Sequence, residues 1–309
     1  MKMNPATIAV MSAAGLFFVI AELTGYAQSD PVFFYLMLYI AAGQGLNLMF
    51  GYTGYLPFGN IGFYSIGQYV TGLIFFHYGI HPAAGILLSI IASILFALLL
   101  YPTLRLKGIY FAIASFLISE AVISVIVSLP YEISGGSTGI SLVAVYSQFN
   151  AYYAMLVVML LSLAIVYIVD STKIGLALRA IKENTAVSEM LGVEPTKYKL
   201  MAWLVNASLV GACGSISAWH SAYVSFDTAA SPIVSLNILF FPILGGSGTV
   251  LGPLLGSLFY VPLGILGPVY VSYFLIVYGM TLVLVTLFAP QGLIPMIRGF
   301  SPMLQKHLR

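Results

Sequence analysis

The sequence is short of charge. Of its 309 residues only 6% are Asp, Glu, Lys or Arg, while 61% are hydrophobic; soluble domains carry about 25% charged and about 45–50% apolar residues. A water-facing surface cannot be built from so few charges, which excludes a soluble globular fold and leaves a polytopic membrane protein. Cysteine is scarce as well: Cys213 stands alone, so no internal disulfide can form. A Gly-x4-Gly-Lys-Ser/Thr phosphate loop is missing, so this chain does not itself hydrolyse ATP through such a loop. The net charge of +2 is spread over separate loops and gives nucleic acid no patch to bind.

What the chain has instead is apolar runs. A helix of about 20 apolar residues crosses a hydrocarbon layer of about 30 Å, and such runs lie near 5–21, 32–50, 61–76, 83–101, 109–128, 151–169, 200–221 and 268–289. Two shorter runs, 233–244 and 253–267, form either two thin crossings or one re-entrant pair, and both choices leave the topology of the rest unchanged. The reading is therefore all-α, a single transmembrane domain over 1–309 with about 8–10 membrane helices, some broken or re-entrant. The first run, after Lys2, reads as a retained signal anchor.

Basic residues set the orientation. A cytoplasmic N-terminus puts all eleven Lys and Arg on the inner side: Lys2, Arg105, Lys107, five within 170–199, then Arg298, Lys306 and Arg309. The outer loops then carry only the acidic Glu22, Asp30, Glu132 and Asp227. Both termini are expected in the cytoplasm.

Two loops are long. The outer one, 129–150, contains the Gly-rich ISGGSTGIS, and the inner one, 170–199, holds nine of the chain's charged residues with both signs interleaved. Within the inner loop Ile174, Leu178 and Ile181 follow helical spacing, and Val187, Met190 and Leu191 form a second, rotated set. This pattern predicts two short helices or one bent helix, with Gly192 as a stop and Pro195 in the first turn of the next membrane helix. It suits an amphipathic docking element; the alternative is a plain topogenic loop.

The stretch GYTGYLPFGNIGFYSIGQY at 51–69 places Gly51, Gly54, Pro57, Gly59 and Asn60 inside apolar sequence. In lipid an unpaired backbone group costs several kcal/mol, so irregular backbone survives only when it is buried in protein or lines a water-filled path. Transporters use such breaks to present freed N–H and C=O groups to a polar substrate. The competing explanation is close helix packing through small residues.

The same stretch resembles the first signature of the permease subunits of branched-chain amino acid (LIV-type) ABC transporters, M-type. Further matches are LKGIYFAIASFLISE at 106–120, GGSTGI at 135–140, LALRAIKENTAVSEMLGVEPTKYKL at 176–200, LGGSGTVLGPLLG at 244–256 and APQGL at 289–293. Their order and spacing extend the resemblance along nearly the whole chain. Tyr55, Pro57 and Gln68 depart from the Gln, Ser and Ala usual in that family. The resemblance implies a fold like that of type II ABC importers, set in a bacterial inner membrane, and import by alternating access. It also implies a second, H-type permease subunit, two cytoplasmic ABC ATPases that use ATP and Mg2+, and an extracytoplasmic substrate-binding protein. No cofactor is expected on this chain. Branched-chain or other hydrophobic amino acids are the expected substrates, with urea or short amides as the alternative.

On this reading Gly51, Gly54, Pro57, Phe58, Gly59, Asn60, Gln68 and Glu120 line the substrate pathway. Glu120 is the one ionisable residue deep within a span, and an intramembrane carboxylate is costly unless it has a use. The docking element would meet an ATPase through Val187, Met190 and Leu191 as apolar anchors, with Arg179, Glu183 and Glu189 at the rim and Gly192 turning the chain back.

Other chemistries are weaker. His77 and His81 have the four-residue spacing of a metal pair, but Gly79 and Pro82 interrupt the helix that would align them. The GGSG at 245–248 matches an intramembrane serine protease pattern, yet its candidate base, His220, precedes Ser247 in the chain, opposite to the rhomboid order. A secondary carrier could couple through Glu120 but should show two related halves, and no convincing internal repeat is present. Topology is directly checkable: a cysteine at Ser137 should react with an impermeant thiol reagent from outside intact cells and one at Ser171 should not, and reversed labelling would overturn the orientation.

Overall fold

A computed structural model describes residues 5–25, 31–106 and 108–259, with isolated positions at 261, 276, 279, 280, 283 and 287. Except for those positions, the expected span at 268–289 and the APQGL motif lie outside the described residues.

The chain is helical almost throughout. The long helices are α1 (Pro5–Leu23), α2 (Val32–Leu46), α3 (Asn60–Tyr78), α4 (Pro82–Leu99), α5 (Ile109–Ser128) and α6 (Gln148–Ser171). Two short helices follow, α7 (Lys173–Glu183) and α8 (Thr185–Met190), then α9 (Pro195–Ser221) and α10 (Pro232–Gly246). Proline opens α4, α9 and α10, where its missing N–H is no loss. Among the described residues six segments are long and apolar enough to cross a bilayer: Val32–Gly51, Pro82–Leu99, Ile109–Ser128, Gln148–Ser171, Pro195–Ser221 and Phe226–Gly246. The molecule is thus a multi-pass helical membrane protein. Helix α3 falls below that mark for an informative reason: it is enclosed by protein, with Asn60, Ser65, Gln68 and Thr71 all buried along it.

The centre of the bundle is the crossing of α3, α4 and α9. Here backbones touch. A Cβ at Gly67 would lie 2.1 Å from the Gly211 carbonyl oxygen, one at Gly214 would lie 2.0 Å from the Tyr64 carbonyl oxygen, and one at Gly211 would lie 2.1 Å from Ser93 Oγ. Such contact lets hydroxyls bridge the helices: Thr71 Oγ1 lies 2.6 Å from Ser215 Oγ and 3.2 Å from Ser89 Oγ, and Ser89 donates to the Gly67 carbonyl at 3.1 Å. Below this crossing Trp203 is fully buried, edge-on to Phe63 and Phe111, and donates its indole N–H to the Ala97 carbonyl. Helices α4 and α5 each turn one face with long apolar side chains outward.

The end of the bundle that carries loop 170–199 is called inner below, and the other end outer. At the outer end loop 129–150 is folded rather than extended. Its strand β1 (Ile140–Ser141) pairs antiparallel with β2 (Tyr223–Val224), placing Ile140 opposite Val224. Ile140, Leu142 and Val224 pack on Tyr69 and Ala218, and Trp219 donates to the Val145 carbonyl at 2.9 Å. The Gly-rich motif of this loop therefore forms a cover over the outer ends of α3 and α9.

The run 233–244 and the described part of the run 253–267 form a hairpin. Helix α10 ends at Gly246, residues 247–251 turn, and a helix over 252–259 packs back against α10. The two backbones are in contact, since a Cβ on Gly245 would lie 1.7 Å from the Gly252 oxygen.

Because the α3–α9 crossing has no room for a methyl group, Gly67→Ala should cut the yield of monodisperse detergent-solubilised protein several-fold and lower its melting temperature. Leu95→Ala, on the outward face of α4, should leave both unchanged. Fluorescence-detected size exclusion and a thermal ramp read the difference.

Candidate functional site

The site is the break between α2 and α3. Helix α2 widens into a π-helical turn over Asn47–Gly51, residues 52–53 stay helical, 54–57 are irregular, and α3 begins at Asn60. Gly54 sits at φ +78°, a left-handed conformation that costs an L-residue about 1 kcal/mol or more. The break therefore needs glycine at this position for backbone geometry.

The freed backbone groups are met by side chains from four other segments. Lys182 of α7 donates to the Gly51 carbonyl at 2.9 Å, and Ser235 of α10 donates to the Phe58 carbonyl at 3.0 Å. On α5, Ser119 donates to the Gly59 carbonyl at 3.0 Å and Ser115 accepts the Gly59 N–H at 3.3 Å. Asn206 of α9 donates to the Asn60 side-chain oxygen at 2.8 Å, with both residues fully buried. Gly59 also packs tightly, because a Cβ there would stand 2.4 Å from the Ser115 carbonyl oxygen.

The hairpin turn 247–251 lies against the same break. Asn47 accepts the Gly248 N–H at 2.7 Å and donates to the Thr249 carbonyl at 2.8 Å, while Gln44 donates to the Val250 carbonyl at 2.7 Å. Gly51 must be glycine here as well, since its Cβ would meet the Gly248 nitrogen at 2.4 Å. The LGGSGTVLG motif thus supplies backbone donors and acceptors to two buried amides.

On the inner side loop 170–199 is tied to the break. Tyr52 donates to Asp170 at 2.7 Å, Asp170 pairs with Arg179, and the Arg179 guanidinium lies 5.0 Å from the centre of the Tyr52 ring. Burial, reinforced by the Asp170 carboxylate, raises the Tyr52 phenol well above its usual range, so it stays protonated as the donor. Lys199, at the start of α9 and only 7% exposed, donates to the Tyr55 hydroxyl at 2.8 Å. Leu178 and Ile181 anchor α7 in the bundle. Helix α8, capped by the Asn184 side chain on the Ala186 and Val187 N–H groups, projects away, and Val187, Met190 and Leu191 are 44%, 79% and 75% exposed.

Of the residues expected in the pathway, Phe58 and Gly59 meet α5, Gly51 meets Lys182 and the 247–251 turn, Gly54 lies beside Lys182, and Asn60 pairs with Asn206; Pro57 lies in the irregular 54–57 segment. Glu120 follows Ser119 directly; it is half-buried, and its Oε1 is buried without a hydrogen-bond partner among the described residues. Gln68 lies about 12 Å further along α3, buried, its Oε1 without a partner. Of the residues expected to meet an ATPase, Arg179 is engaged with Asp170, while Glu183, Glu189 and Gly192 are at the surface. Sequence reasoning missed Lys182, Asp170, Tyr52, Gln44, Asn47, Ser115 and Ser119. Amides three apart in an apolar run, and serines four apart on one helix, were signals that could have found the last four.

The histidine pair has other uses. His77 Nε2 lies 3.0 Å from the Ile133 carbonyl, and the His81 ring accepts the Ala83 N–H as the cap of α4. Among the described residues no cluster of His, Cys, Asp and Glu could hold a metal ion. His220 stacks on Phe34 at 3.7 Å, near the outer end of α2, whereas the turn containing Ser247 lies beside Asn47. Thirteen residues of α2 separate those levels, about 20 Å, so the protease pair is not assembled.

Comparison with known proteins agrees with this architecture. The family described as branched-chain amino acid transport system / permease component matches residues 30–286. The chain is 30% identical over 301 residues to the high-affinity branched-chain amino acid transport system permease protein LivM of Salmonella typhimurium, covering 85% of this chain and 69% of that protein. It is 25% identical over 332 residues to the probable branched-chain amino acid transport permease protein LivM of Methanocaldococcus jannaschii, covering 88% and 94%. The same archaeon's probable permease protein LivH is 23% identical over 238 residues, covering 72% and 75%. No solved structure matches the chain.

Gly54 and Gly59 separate two roles within the break. Gly59→Ala should reduce assembly and transport together, because its Cβ has no space. Gly54→Ala has space, with Lys182 Cγ at 3.4 Å, so assembly should largely survive while substrate uptake falls several-fold. Membrane yield measured beside uptake in proteoliposomes checks this, and normal uptake by Gly54→Ala would remove the break from the transport cycle.

Proposed function

The chain belongs to the branched-chain amino acid transport permease family, and on that premise we propose that it is the membrane-spanning subunit of an ATP-driven importer for branched-chain amino acids in an inner membrane. It works with a second permease subunit, two cytoplasmic ATPases that consume ATP and Mg2+, and a binding protein that delivers substrate at the outer face. The branched-chain amino acid permeases LivM and LivH among its relatives support the substrate class and the second subunit.

The observation that carries the reading is the division of labour within loop 170–199. Helix α7 is anchored to the bundle and tied to the break through Lys182 and the Asp170–Arg179–Tyr52 cluster. Helix α8, immediately after it, presents Val187, Met190 and Leu191 with most of their surface uncovered. A membrane protein has no reason to hold three apolar side chains in water at its polar end unless a soluble partner covers them. In the proposed cycle, ATP binding draws the ATPases together and displaces α8 and α7. Their displacement pulls on the Gly51 carbonyl, and the segment 51–60 rearranges against α5 and the 247–251 turn. Gly51, Gly54, Pro57, Phe58, Gly59, Asn60, Gln68 and Glu120 then face the substrate path in turn, switching its open side.

Two variants test the two halves of the element. Leu191→Asp places a charge in the docking contact, costing a few kcal/mol; the ATPases should be lost on purification, or remain and hydrolyse ATP without leucine import. Lys182→Met keeps the docking surface, so the ATPases should stay bound while leucine import per ATP falls several-fold. Uptake of radiolabelled leucine and phosphate release, measured together in proteoliposomes, distinguish these results. Normal import by Leu191→Asp with ATPases attached would reduce 170–199 to a charged loop, and competition by urea but not by isoleucine would overturn the substrate.

A further inference from the structure

Among the described residues Lys199 is the one lysine or arginine that is buried. It is the fifth residue of α9, about 6 Å along the helix from its inner end. Its ammonium donates to the Tyr55 hydroxyl at 2.8 Å and lies 4.1 Å from the centre of the Tyr55 ring. The surroundings are aromatic: Tyr55 packs edge-on to Phe111, and Phe111 packs edge-on to the fully buried Trp203, one turn further along α9.

No carboxylate among the described residues answers this charge. The ion pairs present are Asp170 with Arg179 and Glu194 with Lys197, and Glu183 and Glu189 stand at the surface. A phenol oxygen is a neutral acceptor and a ring face a weak one, so together they leave a buried ammonium without a counter-charge. Lys182 differs, since it reaches the Gly51 carbonyl from the surface. The partner that Lys199 does have is placed to leave. Tyr55 is half-buried, lies in the irregular segment 54–57, and follows Gly54, whose surroundings are open apart from Lys182.

From this we propose that Lys199 is a substrate-binding residue: at the inner end of the path its ammonium takes the carboxylate of the amino acid in transit, in the position now filled by the Tyr55 hydroxyl. The inference rests on the permease reading given above and names the end of the substrate that this site holds. Every α-amino acid carries that carboxylate, so Lys199 serves the whole class, and the rings of Tyr55 and Phe111 offer apolar surface to an aliphatic side chain beside it. When the break rearranges, the phenol moves off Lys199 and the carboxylate replaces it. The phenol's return competes for the same donor and favours release on the inner side, so the charge keeps a partner throughout.

The test uses the complex of both permeases and the ATPases in detergent, with no nucleotide and no binding protein present. Saturation-transfer difference NMR, which detects weak ligands through their own methyl signals, is recorded with three ligands. These are leucine, isocaproate, which keeps the carboxylate and lacks the ammonium, and leucinol, which keeps the ammonium and lacks the carboxylate. Leucine and isocaproate should give signals several-fold above leucinol. Lys199→Met should lower both to the leucinol level, and Lys199→Arg should retain most of them. Tyr55→Phe removes the competing acceptor and keeps the cation, so both signals should hold or rise. A plain structural latch gives a different pattern, in which Tyr55→Phe and Lys199→Met lower the melting temperature equally and neither changes the ligand signals; that result overturns the inference. Equal signals from leucine and leucinol in the unsubstituted complex overturn it too, as they would if a carboxylate of a neighbouring subunit meets Lys199, and this comparison stands whether or not Lys199→Met is recovered. ATP-dependent leucine uptake by proteoliposomes of the unsubstituted complex, with binding protein added, separates the two readings. Intact uptake with either contrary pattern rejects the Lys199 site alone, whereas absent uptake rejects the function itself.

Discussion

A peptide group released from a helix inside a bilayer must find a hydrogen-bond partner within the protein, because lipid offers none. The break between α2 and α3 releases several, and much of the surrounding structure is arranged to receive them. Lys182, Ser235, Ser115 and Ser119 reach it from two helices and the inner loop, and Asn206 fixes the first residue of α3. The 247–251 turn presents an equal problem and is solved by the same region, through Gln44 and Asn47. Two irregular segments are therefore each stable because they adjoin the other. Moving either one would change the hydrogen bonding of both, so the two segments are packed as one unit.

Such an arrangement requires the helices to be close enough for short side chains to reach a neighbour's backbone. Serine can span from α5 to Gly59 only because Gly59 has no Cβ to hold α5 away. The same holds at the bundle centre, where Gly67, Gly211 and Gly214 permit the hydroxyl bridges of Thr71, Ser89 and Ser215. Glycine packing and exposed backbone, posed as competing explanations of the Gly-rich stretch, are at Gly59 one and the same device. At Gly54 they separate: that residue supplies a left-handed turn with open space around it.

The charges that the chain does carry are concentrated where they act between elements. Asp170 and Arg179 pair beneath Tyr52, and Lys182 and Lys199 each reach residues of the break. Partly exposed ion pairs of this kind contribute at most about 1 kcal/mol each to stability. Their value lies in direction: they connect a short amphipathic helix at the surface to a carbonyl at the end of a membrane helix. Glu183 and Glu189, which have no such contacts, lie on the surface beside the apolar residues of α8.

By itself the sequence determined the class of the protein and, within the described residues, its long helices and their approximate limits, because hydrophobic run length is a local quantity that a bilayer reads directly. It also determined that 51–60 is irregular and that 170–199 is helical up to a stop at Gly192, as two short helices or one bent one, since helix breakers and apolar period are written in adjacent residues; the structure resolved that choice in favour of two. Only the tertiary structure decided what meets the freed backbone: Lys182 lies 131 positions from Gly51, and Asn47 lies 202 from Thr249. Nothing local distinguishes a lysine that stays in water from one that caps a carbonyl, or a Gly-Gly pair that turns a loop from one that lets two backbones touch. Those assignments depend on which helices become neighbours, and that is settled by packing across the whole bundle.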